Sequence, residues 1–465
     1  MADAERYDAL IIGAGMSGLA AGIRLAQFDR RVAILERHYL WGGLNSFYKL
    51  AGRRFDVGLH ALTNYVPPRT RGAPLTRVLK QLRIRHDELR LGEHRCSEIL
   101  FPGTRLRFSN DLALLEEEIA AAFPGAVDAF ARLVEEVRAY DIDAAELDQR
   151  SSRQVLCEIL GEPFLAEMLL LPPLFYGSPH EEDMDWASYC ILFRSIFLEG
   201  LSRPEGGIRP VLNLLLERFR DLGGELRMKN GVSEVRAPKG RVEGVVLDDG
   251  TELAADLVLS SAGYAETMRL TGTEIPPADV GRMSFLESIS VLDRTPEELG
   301  HEAATSFYSN TDRALYRVPP SLADVRSGVI SAPNNFASEE PLPEGILRVT
   351  VPANHGLWKE LPDGRYVEEK NRIADEAVGA VSAHLADWRP HTVFRDVFTP
   401  RTIERFTGHF HGAVYGSLQK RRDGSTGIDG LVLCGTDQGY LGVVGSMVSG
   451  ITMANLHGLR EAAAS

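Results

Sequence analysis

The chain has 465 residues, 44% of them hydrophobic, and a formal net charge of −14 at pH 7. This length permits two domains or one large divided domain with an ordinary core. The negative charge repels polyanions, and no basic stripe is interleaved with aromatic residues, so we expect no nucleic acid partner. The four cysteines form no C-x-x-C motif and predict free thiols in a reducing compartment.

The N-terminus passes almost directly into an apolar strand, which leaves no room for a charged and an apolar targeting region, so we expect no signal peptide. The stretch 438–459 is long enough to cross a bilayer. It is rich in glycine and polar residues, however, and we expect a loop and a helix buried in protein. These features predict a cytoplasmic protein, and contact with the inner face of the cell membrane is the alternative location.

The first forty residues predict a nucleotide-binding β-α-β unit. An apolar strand leads into Gly13-x-Gly15-x-x-Gly18, and a second strand, Val32–Glu36, ends in a carboxylate. Gly13 permits a tight turn, Gly15 lets the backbone approach a pyrophosphate, and Gly18 lets helix and strand pack closely. Glu36 follows Gly18 by 18 residues and can accept hydrogen bonds from a ribose diol. The motif predicts a dinucleotide without separating FAD from NAD.

Residues 60–200 form an irregular region with two unusual segments. The apolar spacing at 75–82 predicts a short helix, and the surrounding segment 69–95 is strongly basic. We favour an ordinary surface helix there, with contact to anionic lipid headgroups as the alternative. The segment 164–201 is dense in large apolar residues and is interrupted by Pro172-Pro173. It can be plain core or the lining of a pocket for a long apolar ligand, and the sequence does not decide between them.

Regular structure resumes at Pro204. The sequence predicts a helix at 210–222, strands at 225–228, 232–235, 242–247 and 253–260, and a hairpin turn at Asp249-Gly250. Residues 283–400 mix strands, at 284–292 and 346–351, with helices and Pro-rich loops. The last predicted strand, 430–435, is followed by Asp437, a Gly-rich loop and a helix.

Between these elements the sequence resembles a flavoprotein superfamily. The motif E-x5-G-G-x2-S-x5-G-x2-F-D-x-G runs from Glu36 to Gly58, and blocks at 204–262, 399–416 and 430–450 agree with it in order and spacing. The superfamily includes phytoene desaturases, carotenoid isomerases, retinol saturases, amine oxidases and protoporphyrinogen oxidases. The layout is most similar to the phytoene desaturase and carotenoid isomerase branch.

The resemblance implies FAD as the cofactor. Gly42 and Gly43 would lie against the phosphates or ribityl chain, Val232 would pair with the adenine edge, and Asp437 would hold the ribityl chain or phosphates. A helix beginning near Gly442 would direct its positive dipole toward the flavin. The full set of residues expected to contact FAD is Gly13, Ala14, Gly15, Ser17, Gly18, Glu36, Arg37, Gly42, Gly43, Ser46, Gly58, His60, Val232, Gly435, Asp437 and Val444.

The implied fold is α/β, with a Rossmann-like FAD-binding domain assembled from discontinuous segments and an inserted α+β substrate domain. We expect the FAD-binding domain to comprise residues 1–65, 201–282 and 401–465. The substrate domain is expected to comprise 66–200 and 283–400, with peripheral membrane contact through part of 69–95 or of 164–201. One departure falls at 438–442, which reads Gln-Gly-Tyr-Leu-Gly where relatives often have Pro-Gly-x-Gly. We expect functional divergence there.

The resemblance predicts an FAD-dependent oxidoreductase for a long apolar polyene or isoprenoid. The expected chemistry is desaturation, with hydride transfer to flavin N5 and proton loss from the adjacent carbon. No catalytic base can be named; His60 is the nearest candidate by position, but packing against the flavin is favoured for it. No second G-x-G-x-x-G is present for a nicotinamide domain, so electrons would pass to oxygen, a quinone or another protein.

Several alternatives stay open. The same motifs fit a flavin-dependent carotenoid isomerase or a polyene saturase. A non-enzymatic prenyl or lipid carrier, like the Rab escort and dissociation-inhibitor proteins, would show degraded flavin motifs, and an amine or porphyrinogen oxidase fits the apolar block 164–201 less well. His409-Phe-His411 could place two imidazoles on one face of a strand, but no nearby cysteine or acid completes a metal site, so no metal is expected.

Overall fold

The structure, a computed structural model, describes residues 4–142 and 147–459. Within them the strands form two large sheets and three small ones. In chain order the strands are β1 (Glu5–Arg6), β2 (Ala9–Ile12), β3 (Val32–Glu36), β4 (Phe47–Leu50), β5 (Arg53–Asp56), β6 (Leu91–Glu93), β7 (Ser97–Phe101), β8 (Thr104–Phe108), β9 (Ser202–Pro204), β10 (Glu225–Met228), β11 (Val232–Arg236), β12 (Gly244–Leu247), β13 (Glu252–Ala254), β14 (Val258–Ser260), β15 (Ser284–Leu292), β16 (Thr305–Ser309), β17 (Ser327–Ser331), β18 (Gly345–Ala353), β19 (Thr392–Phe398) and β20 (Leu431–Leu433).

Helices cover both large sheets. They are α1 (Met16–Ala26), α2 (Pro74–Leu82), α3 (Leu112–Ala122), α4 (Val127–Ala139), α5 (Ser152–Leu160), α6 (Pro163–Gly177), α7 (Trp186–Phe193), α8 (Ile208–Asp221), α9 (Tyr264–Leu270), α10 (His355–Glu360), α11 (Asp363–Val381), α12 (Pro400–Thr407) and α13 (Gly442–Met453). The helices predicted around residues 75–82 and 210–222 are therefore confirmed as α2 and α8.

A five-stranded parallel sheet forms the nucleotide-binding part of the fold. Its strand order is β10-β3-β2-β14-β20, so its strands come from the beginning, middle and end of the chain. Strands β2, β3, β14 and β20 are fully buried because helices or other strands cover both faces, which explains their continuous apolar sequences. The predicted α/β fold with a discontinuous Rossmann-like domain is confirmed. The exact domain boundaries stay a prediction.

Close backbone packing holds α1 on this sheet. Gly18 faces the turn after β2, where a Cβ would press into the carbonyl oxygen of Gly13 and lie 3.3 Å from the Ile11 side chain. At the neighbouring position of α1, the backbone of Ser17 packs against Gly450 of α13. Because the residues at both contacts are glycines, the backbones of β2, α1 and α13 can contact each other directly.

We expect Gly18→Ala to destabilise the protein by about 1–3 kcal/mol, because the added methyl group meets backbone that cannot move aside. Gly22→Ala, one turn later, is the matched control. There a Cβ would lie 2.9 Å from the terminal atoms of Ile34 and Phe219, which are side chains that can rotate. Thermal unfolding of the two variants should therefore show a clearly larger loss for Gly18→Ala; equal losses would contradict the packing argument.

The second large sheet has seven strands in the order β19-β15-β18-β17-β16-β7-β8. It is antiparallel except where β16 runs parallel to β7. One face packs on α11 and on Trp358, and the other, inner face packs on the helices α5–α7. The register places Glu287, Thr350, Val329 and Phe307 side by side across four neighbouring strands on this inner face.

Two sequence predictions need correction in this fold. The single strand predicted at 253–260 is two strands, since β13 joins a small sheet with β1 and β12 whereas β14 joins the parallel sheet. The helix α6 continues through Pro172 and Pro173 instead of being interrupted there. The apolar residues of α2 are buried in the same core as α1 and α13, and the assignment of residues 66–200 to the substrate domain stays a prediction.

Candidate functional site

A cavity of about 770 Å³ lies at the carboxyl ends of the parallel strands. Its wall includes the residues that directly follow four of these strands, namely Gly13, Arg37, Ser261 and Cys434. From there it extends to the inner face of the seven-stranded sheet, which contributes side chains of β15, β17 and β18. Open α/β sheets bind ligands at this edge.

The glycine-rich turn has room for an anion. Gly13 has a positive φ of 96°, and Gly15 precedes α1 in an extended conformation with φ −76°. Gly15 lines the cavity, and a Cβ built on it would meet no atom within 4 Å. The Gly42 N–H donates to the Ala14 carbonyl oxygen at 2.8 Å. This hydrogen bond holds Gly42 and Gly43 beside the turn. The N-terminus of α1, whose first N–H groups have no intrahelical partner, opens here.

Glu36 lies at the end of β3 and is 8% exposed. One carboxylate oxygen accepts from the Ala14 N–H at 2.8 Å, and the other accepts from the His38 N–H at 2.8 Å. A carboxylate offers about four acceptor positions, so two stay available to a ribose diol. Glu36 and Val232 both line the cavity, as the predicted adenosine end requires.

Asp437 ties together the loops around the middle of the cavity. It is 2% exposed, and its oxygens accept from the backbone N–H groups of Tyr264 at 2.6 Å and Ser417 at 2.7 Å. The Lys420 ammonium group is 3.4 Å away. Asp437 lines the cavity, and each of its oxygens already accepts a hydrogen bond from the protein. The direct contact with the ribityl chain or phosphates stays a prediction.

Most of the residues expected to contact FAD line this cavity. They are Gly13, Gly15, Ser17, Glu36, Arg37, Gly42, Gly43, Ser46, Gly58, His60, Val232, Gly435 and Asp437. Ala14, Gly18 and Val444 lie behind the wall. Ala14 and Val444 are fully buried in the core, and Gly18 packs on the Gly13 carbonyl group. Binding roles for the whole set stay predictions.

A buried polar cluster, formed by His60, Glu287, Arg348 and Thr350, adjoins the far end of the cavity. Glu287 forms a close ion pair with Arg348 and accepts from the Thr350 hydroxyl group at 3.1 Å, and His60 Nε2 lies 3.4 Å from Glu287 Oε2. Burial raises the pKa of Glu287, but Arg348 and His60 outweigh it and bring it to about 2. Burial lowers the pKa of His60, so the imidazole is neutral and Glu287 is ionised.

The sequence analysis missed three members of this cluster. Glu287, Arg348 and Thr350 lie in a region without a recognisable motif. A signal was nevertheless present, since Glu287 interrupts the apolar strand 284–292 and Arg348 interrupts the apolar strand 345–353. Two opposite charges in two otherwise apolar strands indicate a buried cross-strand contact.

An apolar wall completes the same end of the cavity. It is formed by Phe175, Tyr176, Phe285, Val329 and Tyr415. Within the block 164–201 only Phe175 and Tyr176 belong to the cavity lining, and most of the other large apolar side chains are buried against one another. The block is therefore mainly core.

The two imidazoles of the His409-Phe-His411 segment do not share a strand face. The segment forms a tight turn in which His411 has a positive φ of 57° and its Nδ1 lies 3.0 Å from the Gly281 carbonyl oxygen. His409 turns toward the cavity and Glu266 instead. Across residues 4–142 and 147–459, no group of three or more His, Cys, Asp or Glu residues could hold a metal ion.

In the part of the chain that the structure describes, no helix has the length and apolar character needed to cross a membrane. The helix predicted at the end of the chain is α13, and Gly442, Val443 and Ser446 from its first turns line the cavity.

FAD fits these residues. The empty space at Gly15 accommodates a pyrophosphate next to the N-terminus of α1, and Glu36 and Val232 lie at the adenosine end. The opposite end lies between the first turns of α13 and the buried polar cluster, where an isoalloxazine ring would contact backbone and the apolar wall. A flavin bound there would accept two electrons, and this redox chemistry would come from the cofactor and not from the side chains of the protein.

Comparison with known proteins agrees with this geometry. The chain is 22% identical over 473 residues to prolycopene isomerase 2 from an Oncidium hybrid, covering 90% of this chain and 76% of that protein. It is 27% identical over 289 residues to the neurosporene-forming phytoene desaturase of Rhodobacter capsulatus, covering 56% and 53%.

An oxidoreductase from Methanosarcina mazei has the same fold, with a TM-score of 0.65, 17% identity, and coverage of 96% of this chain and 99% of that one. The model of the flavin-containing amine oxidoreductase family matches residues 16–456. With its flavin-sized cavity and its complete glycine-rich turn, the chain belongs to this family of flavin-containing amine oxidoreductases and is an FAD-dependent enzyme.

Proposed function

We propose that this enzyme desaturates a long apolar polyene or isoprenoid. A substrate carbon gives a hydride to flavin N5, the adjacent carbon loses a proton, and a carbon–carbon double bond forms while FAD is reduced. Oxygen, a quinone or another protein then takes the electrons. The observation that carries the proposal is the apolar wall of Phe175, Tyr176, Phe285, Val329 and Tyr415 next to the flavin end of the cavity.

Physical chemistry supports an apolar substrate at this wall. Burial of apolar surface contributes roughly 25 cal/mol per Å², so a long hydrocarbon needs few polar anchors. A charged amine would instead need a paired acid, and Glu287, an ionised acid that lines the same cavity, is already paired with Arg348. These points favour a polyene over the amine substrates of other family members.

Isomerisation of a polyene fits the same site equally well. The relatives include both a prolycopene isomerase and a phytoene desaturase. Reduced flavin could also saturate a double bond. A carrier without enzymatic activity is disfavoured, because Gly15 and Glu36 retain the geometry that a dinucleotide requires.

The test is to incubate the FAD-loaded protein with phytoene or prolycopene in liposomes without oxygen. Desaturation predicts flavin bleaching and a product lacking two hydrogen atoms. A product of unchanged mass would instead establish isomerisation, and one with two added hydrogens, formed by prereduced enzyme, would establish saturation. No change in any polyene, together with flavin bleaching by a primary amine, would contradict the proposal.

We also infer that the enzyme contacts the inner face of the cell membrane peripherally, where its substrate would reside. The basic segment 69–95 divides into two parts. Arg85, Arg90 and Arg95 form ion pairs with acidic side chains. By contrast, Arg69, Arg71, Arg77, Lys80 and Arg83 are exposed, and none of these five has an acidic partner among the described residues. Since the apolar residues of α2 are buried in the protein, the contact is electrostatic.

Replacing Arg77, Lys80 and Arg83 together by glutamate should abolish flotation with anionic liposomes at low salt. Each basic residue near an anionic surface contributes about 1 kcal/mol, so the loss is at least about 100-fold in binding. The matched control reverses the paired residues Arg85 and Arg95, which should reduce flotation much less. Equal effects, or flotation unaffected by high salt, would contradict this surface.

A further inference from the structure

His409 is the member of the His-Phe-His segment that reaches the cavity. Its Nδ1 lies 3.4 Å from a carboxylate oxygen of Glu266, and that same oxygen accepts from the Phe410 N–H at 2.7 Å. The carboxylate is thus fixed by the backbone next to the imidazole. The ring lines the cavity and is 19% exposed, and no hydrogen bond to its Nε2 is formed within the described residues.

The neighbours of His409 locate it above the centre of the parallel sheet. Glu266 belongs to α9, which follows β14, and its carboxylate lies next to Gly263. Arg37 follows β3 and Asp437 follows β20, and both act electrostatically on the imidazole. Strands β2 and β14 lie between β3 and β20 in the sheet. His409 therefore faces the edge at which β2 ends in the glycine-rich turn.

This turn contains no positively charged side chain of its own. Residues 13–18 and 42–46, which surround the expected pyrophosphate, include no Lys, Arg or His. With His60 neutral, Arg37 is the one positively charged side chain among the expected FAD contacts, and a diphosphate has two negative charges. A cation placed opposite the turn would stabilise it by a charge-assisted hydrogen bond.

We propose that His409, oriented by Glu266, is a positively charged contact for the FAD pyrophosphate. The imidazolium donates from Nδ1 to Glu266 and from Nε2 to a phosphate oxygen. The proposal rests on FAD as the cofactor and is independent of the polyene substrate, because the test below contains no substrate.

The charges around His409 favour its protonated form. Burial lowers the pKa of His409, but the hydrogen bond and charge of Glu266, with the charge of Asp437, outweigh burial and the opposing charge of Arg37. The result is a pKa above its usual value of 6.5. Since the protonated form binds phosphate, FAD should be held tightly below this pKa and released faster as the pH rises through it.

The first experiment measures FAD release from the holoenzyme after dilution, by the recovery of flavin fluorescence, between about pH 6 and pH 9. His409→Gln should release FAD about 10- to 100-fold faster at the acidic end, the range for a charge-assisted hydrogen bond. It should also lose the pH dependence. Glu266→Gln should shift that dependence to lower pH, and His409→Arg should restore slow release at all pH values.

The matched control is His411→Gln, which removes an imidazole two residues away that does not line the cavity. It should leave the pH dependence of FAD release in place, because His409 and Glu266 are both retained. If His409→Gln fails to fold, the ³¹P resonances of FAD in the unmodified holoenzyme provide the test, since they should move with pH as His409 titrates. Release from His409→Gln that matches the unmodified enzyme, or phosphorus resonances that do not move, would overturn the proposal.

Discussion

Replacing Gly15 by valine should yield a protein that folds normally and carries no FAD. The backbone of Gly15, with φ −76° and ψ −179°, suits any residue, and a Cβ there meets no protein atom within 4 Å. The added side chain would instead occupy the space expected for the pyrophosphate. Loss of two charge-assisted hydrogen bonds, each about 1.5–3 kcal/mol, predicts at least about 100-fold weaker FAD binding.

The measurement combines the flavin absorbance of the purified protein with its thermal unfolding after flavin removal. Gly125→Val is the matched control, because Gly125 also has open space around its Cβ position but does not line the cavity. Both variants should unfold like the flavin-free parent protein, and only Gly15→Val should be colourless. A yellow Gly15→Val protein would place the pyrophosphate elsewhere.

The two glycines of the turn should thus differ in effect. Gly18→Ala should lower stability, because Gly18 packs against backbone, whereas Gly15→Val should lower FAD binding, because Gly15 leaves space for the cofactor.

The second large effect is expected at Arg348. This guanidinium group is 2% exposed, pairs with Glu287, and donates to the Leu59 carbonyl oxygen at 2.8 Å. Arg348→Met would leave the Glu287 carboxylate buried with no full positive charge beside it. Breaking a buried pair in this way costs about 3–5 kcal/mol. Arg326→Met is the control, since its pair with Asp324 is half-exposed on the arginine side and should contribute no more than about 1 kcal/mol.

The pH dependence of the same variant provides an independent check. In the unmodified protein the pKa of Glu287 is about 2, below its usual value of 4.5. Its contribution to stability is therefore complete above the usual value and is lost as the pH falls toward 2. In Arg348→Met the buried carboxyl group should have a raised pKa, so mild acid should stabilise the variant relative to neutral pH. Thermal unfolding at several pH values measures this, and a variant with the parent's pH profile would contradict it.

The sequence predicted the nucleotide-binding half of the fold well, because its signals are local. The glycine turn, the carboxylate at the end of β3 and the apolar strands each depend on a few neighbouring residues. The split between β13 and β14 was missed because a continuous apolar pattern at 253–260 does not reveal that its two ends belong to different sheets. For α6, the buried packing of the helix overrides the usual effect of Pro172 and Pro173.

The site was predictable only where residues act through motifs. Thirteen of the expected FAD contacts line the cavity, since glycines and a terminal acid have defined positions in a β-α-β unit. The cluster around Glu287 depends on the register between β15 and β18 and on a loop that brings His60 to them. His409 reaches the cavity through a turn with a positive φ at His411. The spacing of apolar residues along the sequence does not predict this turn. Sequence patterns do not predict such contacts between residues that are far apart in the chain.

The order of strands in the parallel sheet has a consequence for biosynthesis. Strand β20, which carries the loop with Asp437, pairs with β14 at one edge of the sheet and is encoded more than 400 residues after β2. A growing polypeptide therefore exposes the glycine-rich turn early but lacks one wall of the cofactor cavity until residues 431–453 leave the ribosome. Because contacts of such large sequence separation form slowly, FAD capture should follow the synthesis of residues 431–453 instead of preceding it.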